Sequence, residues 1–188
     1  MASFEFLFTL FALMLGLALT EVVGGIAKGV KRRGPARLGV LTPLLSAFLA
    51  YEITDFWLFA WGLRELVPIG TPALIGSLVV TGLYYFAAVL AWPDDGDAGW
   101  DDLDGWTLEH KRPILLSVFA TGLLASGANF LLNPAPILAV GVVGLVSMGV
   151  YFALILVGAL APGRRMTIAT VALLLLMHLT ALVMHLIG

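Results

Sequence analysis

The sequence predicts an all-α, polytopic membrane protein with six transmembrane helices and both termini on the extracytoplasmic side. Three observations carry that expectation. The chain is 61% hydrophobic and only 12% charged, where soluble domains hold roughly 25% charged residues. Six apolar runs follow one another along its 188 residues, each long enough to cross a bilayer at ~1.5 Å rise per residue. The ten Lys and Arg residues, Arg64 apart, fall in loops that six crossings place on one side.

The runs span residues 4–27, 38–63, 73–92, 114–132, 137–161 and 167–187 and form a single domain. In hydrocarbon each must satisfy its own backbone, so each reads as a helix. The first contains Glu5 and no early Lys or Arg, and it reads as a retained helix rather than a cleavable signal. Thr71-Pro72 and Arg112-Pro113 set proline at the first turn of helices three and four, where its missing N–H costs nothing. Asn133-Pro134-Ala135-Pro136 forms a tight connection, and Pro162-Gly163 ends helix five. Pro43 either kinks helix two or sits harmlessly in its first turn.

Lys28, Lys31, Arg32, Arg33, Arg37, Lys111, Arg112, Arg164 and Arg165 mark the cytoplasmic side, as expected in an inner membrane. The loop 93–112 on that side carries Asp94, Asp95, Asp97, Asp101, Asp102 and Asp104. It reads as a solvated acidic loop, with Trp92, Trp100 and Trp106 at the headgroups; docking of a basic partner or of the basic first loop is the alternative. The loop does not fit EF-hand spacing, and no other metal-ligand pattern is present. Cysteine is absent, which excludes disulfides, thiolate catalysis and Cys-held clusters. No basic, aromatic-rich face points to nucleic acid. No H-E-x-x-H or G-x-S-x-G motif argues for an enzyme.

The informative residues are the polar ones inside the runs. A central acid costs roughly 2.5–3.5 kcal/mol on insertion scales, so something must compensate Glu52 and Asp55. Counting along each helix puts Glu52 about 22 Å from Arg37 and His178 about 20 Å from Arg165, one common level. Asp55, Asn129 and His185 lie further out, Tyr84 and Tyr151 nearer the cytoplasm, and Glu21 nearer still. Glu21 reads as captured by Lys28 or Arg37. Tyr84, Tyr85 and Tyr151 read first as packing residues, although Gly82-Leu83-Tyr84 and Gly149-Val150-Tyr151 repeat a Gly-x-Tyr pattern. Trp57 and Trp61 read as an outer interfacial belt.

The expected site is therefore Glu52, Asp55 and His178, with Asn129, Glu21, Tyr84 and Tyr151 around it. Two functions follow. One is a proton-linked transporter or ion pathway, thin enough at six helices to imply a homo-oligomer. The other is a structural or regulatory subunit of a larger membrane complex, packed through small residues such as Gly122, Gly141 and Gly144. No cofactor is expected. Haem on His178 or His185 is the weaker alternative, since a bis-histidine site lacks a second histidine from another helix.

Overall fold

A computed structural model describes residues 2–32, 39–68, 70–132 and 141–187. Six long helices account for most of it: α1 (Ala2–Lys31), α2 (Leu41–Gly62), α3 (Thr71–Leu90), α4 (Leu103–Leu132), α5 (Gly141–Leu160) and α6 (Arg164–Ile187). All six are long and apolar enough to span a membrane. The expected turn at Asn133–Pro136, the start of the fifth run at Ile137, Arg33 and Arg37 lie outside the described residues.

The helices form a ring in the order α1, α3, α4, α5, α6, α2, and α2 also leans inward onto α3 and α4. That makes α2 the most buried helix, through a stripe of Leu41, Leu45, Phe48, Glu52 and Phe56 at three- to four-residue spacing. We call the end carrying Lys28, Arg32, Lys111 and Arg164 the basic end, and its opposite the far end.

One proline alternative is decided and one proline expectation changes. Pro43 lies in the first turn of α2, so it breaks no helical hydrogen bond and the kink is not required. Pro113, by contrast, is inside α4, which begins at Leu103 rather than at Ile114. An interior proline forfeits a backbone hydrogen bond. The compensation is a buried stripe that runs straight past it: Leu103, Thr107, Lys111, Ile114, Leu115 and Val118.

This extension moves Asp104 out of the solvated loop and into the core. It is 2% exposed. Its carboxylate accepts the backbone N–H groups of Val40, Leu41 and Thr42 at 3.0, 2.9 and 3.0 Å. It also pairs with Arg164 of α6. The N-terminus of α2, whose own preceding residue Val40 offers no cap, is thus capped from α4. Gly39 makes the approach possible: its φ is +67°, and a Cβ there would strike the Asp104 carboxylate. Beside it, Thr42 donates to the Leu103 carbonyl at 2.7 Å and bonds the Thr107 hydroxyl. Lys111 donates to Thr167 of α6 at 2.8 Å and to the Ala161 carbonyl beyond the end of α5, where a cation suits the helix dipole.

A second aspartate takes the docking alternative. Asp95 pairs with Lys28 at 3.1 Å and Arg32 at 2.8 Å. The hydrogen bond from Lys28, helped by both positive charges, holds its carboxyl below the ordinary range. Trp92 and Trp100 are buried, at 6% and 4% exposure. Trp92 lies against Gly25 of α1, where any Cβ would enter the indole ring, and Arg32 sits over Trp100.

Gly25→Ala is therefore expected to destabilise. Alanine favours a helix by about 0.5–1 kcal/mol, but overpacking against a fixed ring costs typically 1–3 kcal/mol. A lowered thermal unfolding midpoint checks this; a raised one means Trp92 yields.

Candidate functional site

Glu52 occupies a position on the buried stripe of α2 that would ordinarily be a large apolar residue, and is 6% exposed. Three other helices supply its partners. Tyr151 of α5 donates its hydroxyl between the two carboxylate oxygens, 2.9 Å from each. Tyr84 of α3 donates to Oε2 at 3.4 Å. His178 of α6 places Nε2 3.1 Å from Oε1. Tyr51, on α2 itself, lies beside the imidazole with ring centroids 4.5 Å apart, and its hydroxyl points to the His178 carbonyl at 3.5 Å.

The protonation of this group is constrained by its bonds. His178 Nδ1 lies 2.9 Å from the Leu174 carbonyl, which can only accept, so Nδ1 carries a hydrogen. A hydrogen bond between Nε2 and Oε1 then requires one proton between them. The pair is either imidazolium with carboxylate or imidazole with carboxylic acid, and interconverting the two moves one proton along one hydrogen bond. Both ring nitrogens of His178 are engaged by this arrangement.

The other expected residues are dispersed. Asp55 lies about one turn further toward the far end, exposed, with no hydrogen bond to the described residues. Arg64 does not reach it and pairs instead with Glu65 at 3.5 Å. Asn129 is half-buried on α4 and makes no hydrogen bond with the cluster. Glu21 is exposed on α1, and its expected captor Lys28 is bonded to Asp95. His185 belongs to α6, but its side chain lies outside the described residues. Among the described residues, no three His, Cys, Asp or Glu side chains group as metal ligands.

Two features were missed from sequence. Tyr51 adjoins Glu52 in the chain, but a neighbour in sequence points to a different helical face; it reaches the site only because α6 packs there. Asp104 and Lys111 stood in a stretch read as loop, though their seven-residue separation and the flanking Leu103, Thr107 and Ile114 were helical signals.

Toward the far end the bundle opens into a chamber of about 730 Å³ between α1, α2, α3 and α4. Phe8, Phe11, Phe56, Phe59, Ser77 and Ala128 are among its walls. Phe56 closes it on the side of the carboxylate, packed on Tyr84 at 5.4 Å between ring centroids. Family models, curated proteins and solved structures give no match to this chain.

Proposed function

We propose that the protein is a proton-coupled transporter of the cytoplasmic membrane, oriented with its basic end inside, in which Glu52 and His178 hold the transferable proton. The observation that carries this reading is the 3.1 Å contact between Glu52 Oε1 and His178 Nε2, held within phenols drawn from separate helices. Purely structural burial of an acid in a membrane is served more cheaply by an apolar residue.

Exposed Asp55 stands on the far side of this pair and serves as its outer proton relay. Tyr84 and Tyr151 hold the carboxylate in place while the proton is on His178. Because Tyr151 and His178 come from α5 and α6, a shift of those helices away from α2 would open the pair. Two copies acting together suit so thin a bundle.

The test is proton flux into proteoliposomes carrying a trapped pH-sensitive dye, driven by an imposed pH gradient with potassium and valinomycin holding the membrane potential at zero. Wild type is expected to exceed protein-free vesicles, and Glu52→Gln with Asp55→Asn to fall to their level. Equal flux in wild type and the double variant overturns the reading and leaves that of a structural subunit.

A further inference from the structure

The far-end chamber has no role in moving a proton, yet its chemistry is selective. Its volume of about 730 Å³ falls within the roughly 300–1,000 Å³ of small-molecule sites. Among the described residues, no Lys, Arg, Asp or Glu lines it. The one hydroxyl among its described lining residues, Ser77, already donates to the Leu74 carbonyl at 2.7 Å. Such a wall offers nothing to an anion and little to a sugar or any other strongly polar ligand.

What it does offer is aromatic. Phe8, Phe11, Phe56 and Phe59 all line it. A cation over a ring face gains roughly 0.5–1 kcal/mol at exposed sites and about 2 kcal/mol or more when desolvated.

The Glu52–His178 pair lies beneath the floor, behind Phe56. Phe56, Phe59, Ala60 and Leu63 lie on one stripe of α2, and that stripe continues to Glu52. The carboxylate is four residues deeper than Phe56, about 6 Å along the axis. On α3 the stripe of Ser77 and Val80 continues to Tyr84. On α4 the stripe of Leu124, Ala125 and Ala128 continues to Thr121. The Thr121 hydroxyl is fully buried and has no hydrogen-bond partner among the described residues. In a medium of low dielectric a charge acts strongly across one aromatic ring, so Phe56 does not insulate the chamber from Glu52.

We propose that this chamber binds a lipophilic organic cation, its apolar body among the four phenylalanines and its positive charge turned toward Glu52. The inference rests on the proton-coupled reading and names its substrate class. The balance of charge is simple. Before binding, Glu52 and His178 together hold one proton and are neutral as a pair. The arriving cation neutralises the Glu52 carboxylate, His178 keeps only its Nδ1 hydrogen, and the shared proton leaves to water. One cation enters the site for one proton released, and the site's total charge is unchanged.

The probes are tetraphenylphosphonium and tetraphenylborate, alike in shape and opposite in charge, titrated separately into detergent-purified protein. Tetraphenylphosphonium is expected to bind saturably, one per chain, with release of about one proton in weakly buffered solution. Tetraphenylborate is expected to bind at least tenfold more weakly. Glu52→Gln should weaken tetraphenylphosphonium at least tenfold and abolish proton release. Gly76 lies on the chamber wall, and a Cβ there meets nothing within 4 Å; Gly76→Trp should fill the chamber and block binding. If Glu52→Gln aggregates, the borate comparison and Gly76→Trp still decide.

Equal binding of the two ions overturns the proposal, as a merely apolar chamber or one filled by a lipid tail would give. Tetraphenylphosphonium binding untouched by Gly76→Trp also overturns it. The two readings fail separately. Proton flux without tetraphenylphosphonium binding overturns the cation site alone. Binding that Gly76→Trp removes, without proton flux in vesicles, upholds the cation site and overturns the transporter.

Discussion

Alanine at position 178 is expected to lower proton flux at least a hundredfold and to cost about 3 kcal/mol of stability. The flux figure follows from removing a positioned proton carrier, which is worth typically 10² to 10⁴ in rate. The stability figure is set by what the substitution leaves behind. Glu52 would keep Tyr84 and Tyr151 as donors but lose the group that shares its proton. Removing one member of a buried pair costs roughly 3–5 kcal/mol, whereas an interhelical hydrogen bond in a membrane averages about 0.6 kcal/mol and reaches about 1.7. The remaining phenols put the expected cost at the lower end of the first range. Unfolding in mixed micelles measures it, and a loss under about 0.6 kcal/mol shows that acid and histidine are not coupled. Glu52→Gln combined with His178→Ala should cost less than the sum of the two single changes, because the second removes a partner already lost. Strict additivity would count against the pair.

That Glu52 and His178 share one level of the bundle was legible, because rise per residue and a basic anchor fix position along a helix. Their 3.1 Å separation adds a second dimension, the order of helices around the ring, which no periodicity encodes. Asp55 shows the same limit from the other side. It shares a helix with Glu52 and lies three residues on, yet it is exposed where Glu52 is buried. Which of two adjacent faces meets a neighbour depends on α6 and α5, not on α2. Tyr84 and Tyr151 looked like packing residues from position alone, and the two Gly-x-Tyr segments nonetheless deliver both hydroxyls to one carboxylate. Pro113 was misleading for a different reason. Proline is a strong local helix-start signal, but the buried stripe on both of its sides outweighed the one hydrogen bond it removes. Once α4 is begun at Leu103, the acidic stretch divides into an Asp95 that meets α1 and an Asp104 that is buried, a distinction net charge does not carry.

That buried aspartate is where the largest purely structural effect is expected. Asp104→Ala removes the acceptor for three backbone N–H groups at the start of α2 and the partner of Arg164. Each orphaned buried donor costs about 1–3 kcal/mol, but not all three are orphaned fully. Val40 is 57% exposed, so water reaches its amide. The Arg164 side chain is 50% exposed, so its loss of a partner is worth little. Leu41 and Thr42, at 0% and 1% exposure, carry the effect. The expected cost is therefore about 3 kcal/mol, from two orphaned amides at about 1–2 kcal/mol each. In a chain of this size that lowers the unfolding midpoint by about 6–12 °C. Asp104→Asn keeps one carbonyl oxygen for the amides of Leu41 and Thr42 and should lose about half as much. Arg164→Met, which removes only the ion pair, should change the midpoint by no more than about 1 kcal/mol equivalent. If Arg164→Met proves as damaging as Asp104→Ala, the ion pair rather than the cap holds this end together. The consequence reaches the site, because the cap fixes where α2 begins and Glu52 lies about three turns further along the same helix. Loosening that start lets Glu52 slide relative to Tyr84, Tyr151 and His178, so proton flux should fall in Asp104→Ala and recover in part in Asp104→Asn.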